Sequence, residues 1–216
     1  MVVGRLIVIE GLDGAGKRTL AEGLVAELRG RGRTVHSGAF PRYGTDVHAD
    51  LLAEALRGEH GDLADSVHGM ALMYALDRRG AADALRGELA AHDVVLLDRY
   101  VASNAAYGAA RLHQGPDGEF VEWVRRIEVD RFELPRPDLQ LLLSVPADVA
   151  AGRAEHRERT ESDRQRDRFE SDSPLQQRCA EVYGGLAQRS WWSPWAVVEG
   201  VERVDFAALA EAALPG

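Results

Sequence analysis

The first glycine-rich segment of the chain reads Gly11-Leu12-Asp13-Gly14-Ala15-Gly16-Lys17-Arg18-Thr19 and follows an apolar run at residues 5–9. The run predicts a buried strand, and residues 19–30 predict a helix. Glycines lack a Cβ atom, so a loop built from them takes positive φ values and turns its N–H groups inward, beside the positive end of the helix dipole. The segment therefore predicts a loop that binds polyphosphate, and a tight turn without a ligand is the alternative.

Lys17 is the only lysine among the 26 basic residues of the chain. Arginine occupies every other basic position, so a lysine in this loop indicates a need for a compact point charge, as a nucleotide phosphate requires. The next residue is Arg18, so the Ser or Thr that commonly holds magnesium is missing unless Thr19 replaces it. The predicted nucleotide contacts of the loop are Gly11, Asp13, Gly14, Ala15, Gly16, Lys17, Arg18 and Thr19.

The composition narrows the class of protein. A chain of 216 residues is long enough for one well-buried α/β domain. Its formal charge of −9 argues against a general binder of nucleic acid or anionic membrane, whereas small anionic ligands remain possible. The single Cys179 excludes an intramolecular disulfide framework. The N-terminal apolar run is too short for a signal peptide or a membrane span, so we expect a cytoplasmic protein.

Apolar runs alternate with helix-like stretches along the chain. The predicted strands are residues 5–9, 34–39, 93–97, 138–145 and 195–199. The predicted helices are residues 19–30, 47–57, 63–90, 103–111, 120–132, 148–157, 174–189 and 206–214. This alternation favours an α/β fold with a five-stranded parallel sheet and helices on both faces, because parallel strands need crossover connections. Ligands of such sheets gather at the carboxyl ends of the strands.

Polar residues follow the second and third predicted strands. Asp98 lies where it can hold magnesium or its waters, and Arg99 can grip a phosphate with two N–H groups, although an exposed strand end is the alternative. Phe40-Pro41-Arg42-Tyr43 offers rings beside a cation, or else a rigid surface turn.

Two helical faces combine an aromatic ring with a hydrogen-bonding group. Tyr74 and Arg78 lie four residues apart, so they present a ring and donors suited to a pyrimidine with O4 and N3–H. Asn104 and Tyr107 share another face, where the amide can bond a base or sugar and the phenol can fill the space of a ribose 2′-hydroxyl. The alternatives are a half-buried helix face for the first pair, and capping and packing for the second.

Residues 153–172 are dense in both charges. A long charged segment after a strand and a helix predicts a mobile lid, which we place at about 153–170, while a solvated and self-paired charge run is the alternative. Arginines that close over a transferring phosphoryl group stabilise its charge. The candidate lid residues are Arg153, Arg157, Arg164, Arg166, Asp167, Phe169 and Glu170.

These features resemble the thymidylate kinase family over nearly the whole chain, and most of all its actinobacterial, mycobacterial-type members. The order Gly-Lys-Arg-Thr at residues 16–19 recurs in that subgroup. The supporting motifs are residues 11–19, Phe40-Pro41-Arg42-Tyr43, Tyr74 with Arg78, Asp98-Arg99-Tyr100, Asn104 with Tyr107, and Arg166-Asp167-Arg168-Phe169-Glu170.

The resemblance implies a nucleoside monophosphate kinase fold and a phosphotransferase. Such an enzyme phosphorylates dTMP to dTDP with Mg-ATP by direct in-line transfer, in dTTP biosynthesis, and forms a homodimer. Two alternatives from the residues alone are a kinase for another nucleotide or nucleoside and an ATP-dependent switch protein. Neither nucleic acid nor membrane is an expected partner.

On the donor side, the resemblance implies that Lys17 and Arg153 contact ATP. Ala15 stands where one branch of the family has an arginine, so the catalytic arginine is expected from the lid, at Arg157. The implied catalytic residues are Lys17, Asp13, Arg99 and Arg157. The implied magnesium residues are Asp13, Asp98 and Glu170.

On the acceptor side, Tyr74 is expected to stack on thymine, with Arg78 and Asn104 contacting its edge. Tyr74 stands where phenylalanine is common, and Phe169 where this subgroup often has tyrosine. Both departures retain the ring, so we expect them to tune affinity without abolishing recognition. The implied dTMP contacts are Asp13, Phe40, Tyr43, Tyr74, Arg78, Arg99, Asn104, Tyr107, Asp167 and Phe169.

Overall fold

A parallel sheet forms the centre of the protein. The computed structural model describes residues 4–160, 169, 172–202 and 204–214, with backbone alone at 156–160. The strands of this part are β1 (Arg5–Glu10), β2 (Val35–Ala39), β3 (Val94–Asp98), β4 (Leu139–Ser144) and β5 (Trp195–Glu199). They lie in the order β2-β3-β1-β4-β5, and each neighbouring pair is parallel. This arrangement confirms the predicted five-stranded parallel sheet.

Helices connect the strands and flank the sheet. They are α1 (Lys17–Gly30), α2 (Val47–Leu56), α3 (Val67–Ala91), α4 (Val101–Arg111), α5 (Glu119–Val124), α6 (Ala147–Thr160), α7 (Ser173–Gln188) and α8 (Phe206–Ala213). In α1 the side chains of Leu20, Leu24 and Leu28 recur every four residues and are fully buried. Burial of each such side chain contributes about 1.5–3 kcal/mol, so this stripe fixes the helix that follows the glycine-rich loop.

The observed helices lie close to the predicted ranges, and three of them differ in ways that matter for the site. The third helix starts at Val67 instead of residue 63, because Ser66 accepts the Gly69 N–H and caps it. The predicted helix 120–132 is α5 followed by a π-helical segment, Arg125–Arg131. The helix α6 continues to Thr160, so the first residues of the predicted lid are helical.

Strand register places the candidate residues at one edge of the sheet. Ile9 lies opposite Asp98 of β3 and opposite Leu141 of β4. The glycine-rich loop after β1 therefore lies beside the end of β3. Trp191, Trp192 and Trp195 pack against the main core. In the part of the chain that the structure describes, no helix is long and apolar enough to cross a membrane.

Candidate active site at the carboxyl edge of the sheet

The glycine-rich loop has the backbone conformation that its sequence predicts. Gly11, Gly14 and Gly16 have φ values of 142°, 79° and 103°. A Cβ atom on Gly14 would lie 2.1 Å from the Ala150 carbonyl oxygen, so a side chain there is excluded by contact as well as by φ. Gly16 is the N-cap of α1 and offers no side-chain acceptor to the first-turn N–H groups. These N–H groups are the donors that an anion needs.

Lys17 lies inside the loop and is only 8% exposed. Its Nζ donates to the carbonyl oxygens of Leu12 at 2.9 Å and Gly11 at 3.3 Å. Burial and the nearby Arg99 charge lower the pKa of Lys17. Arg18 and Thr19 are exposed. The loop therefore surrounds a buried ammonium group, whose described partners are two of its own carbonyl oxygens.

Asp13 joins the loop to the end of β3. Its Oδ1 accepts from Arg99 Nη2 at 2.5 Å, and its Oδ2 accepts from the Tyr107 hydroxyl at 2.6 Å. Although burial alone would raise the pKa of Asp13, the Arg99 and Lys17 charges hold it well below its ordinary value. Arg99 itself has a positive φ of 67°, a conformation uncommon for residues with a side chain. Three predicted site residues therefore meet in one ionic cluster.

Glu10 lies beneath this cluster and was missed by sequence reasoning. It is fully buried, and its carboxylate accepts from the Tyr100 N–H at 2.9 Å, the Ser103 hydroxyl at 2.6 Å and the Tyr183 hydroxyl at 3.1 Å. Arg99 Nη1 in turn donates to Ser103 Oγ at 3.0 Å. Burial raises the pKa of Glu10 despite these donors. The signal available in the sequence was a glutamate that directly follows the apolar residues 6–9 of the same strand.

Arg78 and Asn104 meet at a second buried carboxylate, Glu128. Arg78 donates to Glu128 through Nε at 2.5 Å and through Nη2 at 2.8 Å, and Asn104 Nδ2 donates to it at 2.7 Å. Arg78 is 3% exposed and Glu128 is 0% exposed. The Glu128 charge raises the pKa of Arg78 against the effect of burial. The two predicted base-contacting residues are thus brought together, with part of their donor capacity already used by Glu128.

The predicted aromatic contacts occupy different environments. Phe40 is buried, with its ring 5.8 Å from that of Tyr100, whereas Tyr43 is 50% exposed. Tyr74 and Phe169 both pack against a small apolar cluster formed by α2, α3 and the segment between them. The rings of Tyr74 and Phe169 therefore border the same apolar surface.

The predicted lid is described only at its edges. Arg153 Nη1 donates to the Ala15 carbonyl at 3.2 Å, and its Nη2 contacts Glu202 at 2.8 Å, so this arginine lies against the glycine-rich loop. The remaining predicted lid side chains, Arg157, Arg164, Arg166, Asp167 and Glu170, lie outside the described residues.

Asp98 has the property expected of a magnesium ligand. Its Oδ1 is buried and has no hydrogen-bond partner among the described residues. The side chain lies close enough to act on the charges of Lys17 and Arg99. Carboxylate oxygens are the donors that Mg²⁺ prefers, so Asp98 fits the ion. Both Asp13 oxygens, by contrast, already accept hydrogen bonds from Arg99 and Tyr107.

Comparison with known proteins agrees with this geometry. A protein-family model described as thymidylate kinase matches residues 9–194. The chain is 54% identical to the thymidylate kinase of Mycobacterium tuberculosis over 193 residues, which cover 89% of this chain and 90% of that protein. It is 32% identical to the thymidylate kinase of Bifidobacterium longum over 187 residues (85% and 84%), and 30% identical to that of Caenorhabditis elegans over 200 residues (88% and 81%). The chain belongs to the thymidylate kinase family.

Proposed function

We propose that this chain transfers the γ-phosphoryl group of ATP to dTMP and releases dTDP and ADP. Its family membership supports an ATP-dependent phosphotransferase that acts on dTMP. The observation that carries the proposal is the contact between Asp13 of the glycine-rich loop and Arg99 at the end of β3. This contact ties a loop suited to donor phosphates to a cation suited to an acceptor phosphate.

Lys17 and the loop N–H groups act on the donor. Phosphoryl transfer proceeds through a loose transition state whose charge is spread over the equatorial oxygens, so catalysis is mainly positioning and charge neutralisation. The buried Lys17 ammonium supplies a positive charge in a water-poor environment, where its attraction for phosphate is strong. When ATP binds, the phosphates replace the Gly11 and Leu12 carbonyl oxygens as partners of Lys17. Arg153 lies against the loop and would add a second donor-side cation.

Arg99 acts on the acceptor. Its guanidinium is held by Asp13 and by Ser103, whose hydroxyl also donates to Glu10. These contacts orient the guanidinium before substrate arrives, so less rotational freedom is lost when it grips the dTMP phosphate. The acceptor oxygen is already part of a phosphate, so no covalent enzyme intermediate is needed.

The nucleoside of dTMP would be recognised on α3 and α4. The bonds described to Glu128 use Arg78 Nε and Nη2 and Asn104 Nδ2. Arg78 Nη1 and Asn104 Oδ1 would therefore meet the edge of thymine. Tyr74 would stack on the base, and Tyr107, fixed by Asp13, would occupy the space of a ribose 2′-hydroxyl. Phe40, Tyr43, Asp167 and Phe169 complete the proposed substrate set.

Magnesium would be held by Asp98, directly or through water, with Asp13 and Glu170 as the further proposed residues. When bound, the ion neutralises charge on the β- and γ-phosphate oxygens.

We further propose that Arg157 is the catalytic arginine of a lid at about 153–170. We also propose that the enzyme is a cytoplasmic homodimer and that it binds neither nucleic acid nor membrane.

Initial rates of ADP formation test this function directly. Purified protein, ATP and magnesium are combined with dTMP, dUMP, dCMP, AMP, thymidine or no acceptor. We expect strong turnover with dTMP, weaker turnover with dUMP and little without an acceptor. A preference for dCMP or AMP would contradict the assignment of Arg78 and Asn104, and equal ADP formation without acceptor would indicate the switch protein instead.

A further inference from the structure

A cluster of two histidines and a glutamate lies at the opposite edge of the sheet from the glycine-rich loop. His36 lies on the edge strand β2, Glu88 lies in the last turn of α3, and His92 ends that helix. We propose that His36, Glu88 and His92 form a binding site for a transition-metal ion of the Zn²⁺ class. None of these three residues belongs to the set proposed for phosphoryl transfer.

The positions of the donor atoms support this proposal. Glu88 Oε2 lies 3.3 Å from His36 Nδ1 and 3.1 Å from His92 Nδ1. Zn–N and Zn–O bonds of about 2.0–2.1 Å at tetrahedral angles place neighbouring donor atoms roughly 3.3 Å apart. The ligand atoms of all three residues lie within 4.8 Å of one another. Two of the three distances between donor atoms therefore already match a tetrahedral site. A small rotation of one imidazole brings the third distance, between the two histidine nitrogens, into the same range.

The chemistry of the donors selects the class of metal. Two imidazoles and one carboxylate match the protein ligands of zinc sites with an open fourth position, which water can fill. Imidazole nitrogen is a poor ligand for Mg²⁺ or Ca²⁺, which prefer oxygen. All three residues are partly exposed, so an ion can enter and the rings can turn.

Other histidine–carboxylate pairs in the protein provide a contrast. His60 lies 2.6 Å from Glu54, and His48 lies 2.9 Å from Asp46. Among the described residues, only the group at His36 adds a second imidazole to the same carboxylate oxygen and qualifies as a three-ligand cluster. Each single pair offers two donor atoms, whereas the group at His36 offers the three that a zinc site with an open fourth position needs.

The location of the cluster predicts its effect. His36 lies next to the start of β2 and pairs in register with Val95, whereas Asp98 ends β3. With a rise of about 3.3 Å per residue, roughly 10 Å of strand separates Val95 from Asp98. The ion would therefore join the end of α3 to the edge strand without contacting the substrates. Since α3 also contains Tyr74 and Arg78, metal binding would stabilise the helix that supports the nucleoside pocket.

Calorimetric titration with Zn²⁺ tests the site on the full-length, untagged protein. Excess Mg²⁺ in the buffer occupies the carboxylates of the active site. We expect one Zn²⁺ per chain for the wild type and at least about tenfold weaker binding for His36→Ala and for His92→Ala. His60→Ala is the matched control, because it removes a histidine paired with one glutamate, and it should bind as the wild type does.

Thermal unfolding gives a second readout that does not depend on activity. At Zn²⁺ concentrations about a hundredfold above Kd, the Tm of the wild type should rise by about 5–10 °C, and that of the double variant His36→Ala/His92→Ala should not. Circular dichroism without metal checks that the variants are folded. Glu88→Gln is a further variant, which removes the carboxylate ligand and conserves the shape of the side chain. Equal Zn²⁺ affinity and equal Tm shift in the wild type and the double variant would overturn the proposal, as would no binding by the wild type.

Discussion

The glycine-rich loop and the cluster of Arg78, Asn104 and Glu128 are assembled in opposite ways. The loop is formed within residues 11–19, where Gly11, Gly14 and Gly16 supply the positive φ values that its turns require. The buried cluster joins α3, α4 and the π-helical segment, and its ion pair spans 50 residues of sequence. Local sequence therefore specifies the conformation of the loop, whereas tertiary packing of distant elements specifies the buried cluster. The two regions should respond differently to substitution.

The largest effect on stability is expected from Glu128→Ala. Removal of the carboxylate leaves the Arg78 guanidinium buried without its charge partner, which costs about 3–5 kcal/mol in free energy of unfolding. Urea denaturation measures this loss. Glu128→Gln keeps the shape and should lose less. A loss under about 1 kcal/mol for Glu128→Ala would mean that packing, not the ion pair, holds this cluster together.

Lys17→Ala should remove activity without such a loss of stability. Loss of one preorganised donor to the transition state lowers the rate by about 100- to 1,000-fold, or about 2.7–4 kcal/mol. The measurement is kcat/KM for dTMP-dependent ADP formation, alongside Tm. Lys17→Arg retains charge but replaces a compact ammonium with a planar fork, so only partial recovery is expected. Full activity of Lys17→Ala would contradict its assigned role.

Tyr107→Phe tests the link between the two regions. The variant removes a hydroxyl that donates to the Asp13 carboxylate, and such charged hydrogen bonds contribute about 1.5–3 kcal/mol. The low pKa of Asp13 provides stability that is present above the ordinary aspartate pKa of about 4 and is lost as pH falls through its folded value.

Loss of the Tyr107 donor brings the pKa of Asp13 closer to its ordinary value, so acid unfolding of Tyr107→Phe should begin at a higher pH than that of the wild type. Circular dichroism during acid titration follows this transition. Identical acid-unfolding curves would show that the Arg99 and Lys17 charges alone control Asp13.

The smallest effect is expected from Arg125→Ala, in the same π-helical segment as Glu128. Arg125 contacts Glu122 at 3.0 Å and Asp130 at 2.9 Å, but its side chain is 40% exposed. Water screens exposed ion pairs, so the free energy of unfolding should change by less than about 1 kcal/mol. Urea denaturation of Arg125→Ala and Glu128→Ala measures both losses of free energy of unfolding. An equally large loss for Arg125→Ala would refute the distinction between exposed and buried ion pairs.

Sequence patterns predicted the sheet well because its central strands β1, β3 and β4 are largely apolar and buried and are separated by helices. The loop conformation also followed from its glycine positions. The resemblance assigned Asp13, Arg99 and Tyr107 to one substrate site, and their direct hydrogen bonds are seen only in the fold. Sequence could not reveal that Glu128 turns inward, because an ordinary helix was predicted across residues 120–132 and a π-helical turn changes which side chains face the core. The role of Glu10 likewise depends on Ser103 and Tyr183, which only the fold brings close.

The most direct test of the account is the fate of the γ-phosphoryl group of labelled ATP in the presence of dTMP and magnesium. Chromatography of the products separates dTDP, inorganic phosphate and protein-bound label. The account predicts that the label passes to dTDP, with protein remaining unlabelled, because the Asp13–Arg99 contact joins the proposed donor loop to the proposed acceptor cation. Label recovered mainly as inorganic phosphate, or bound to the protein, would contradict direct transfer.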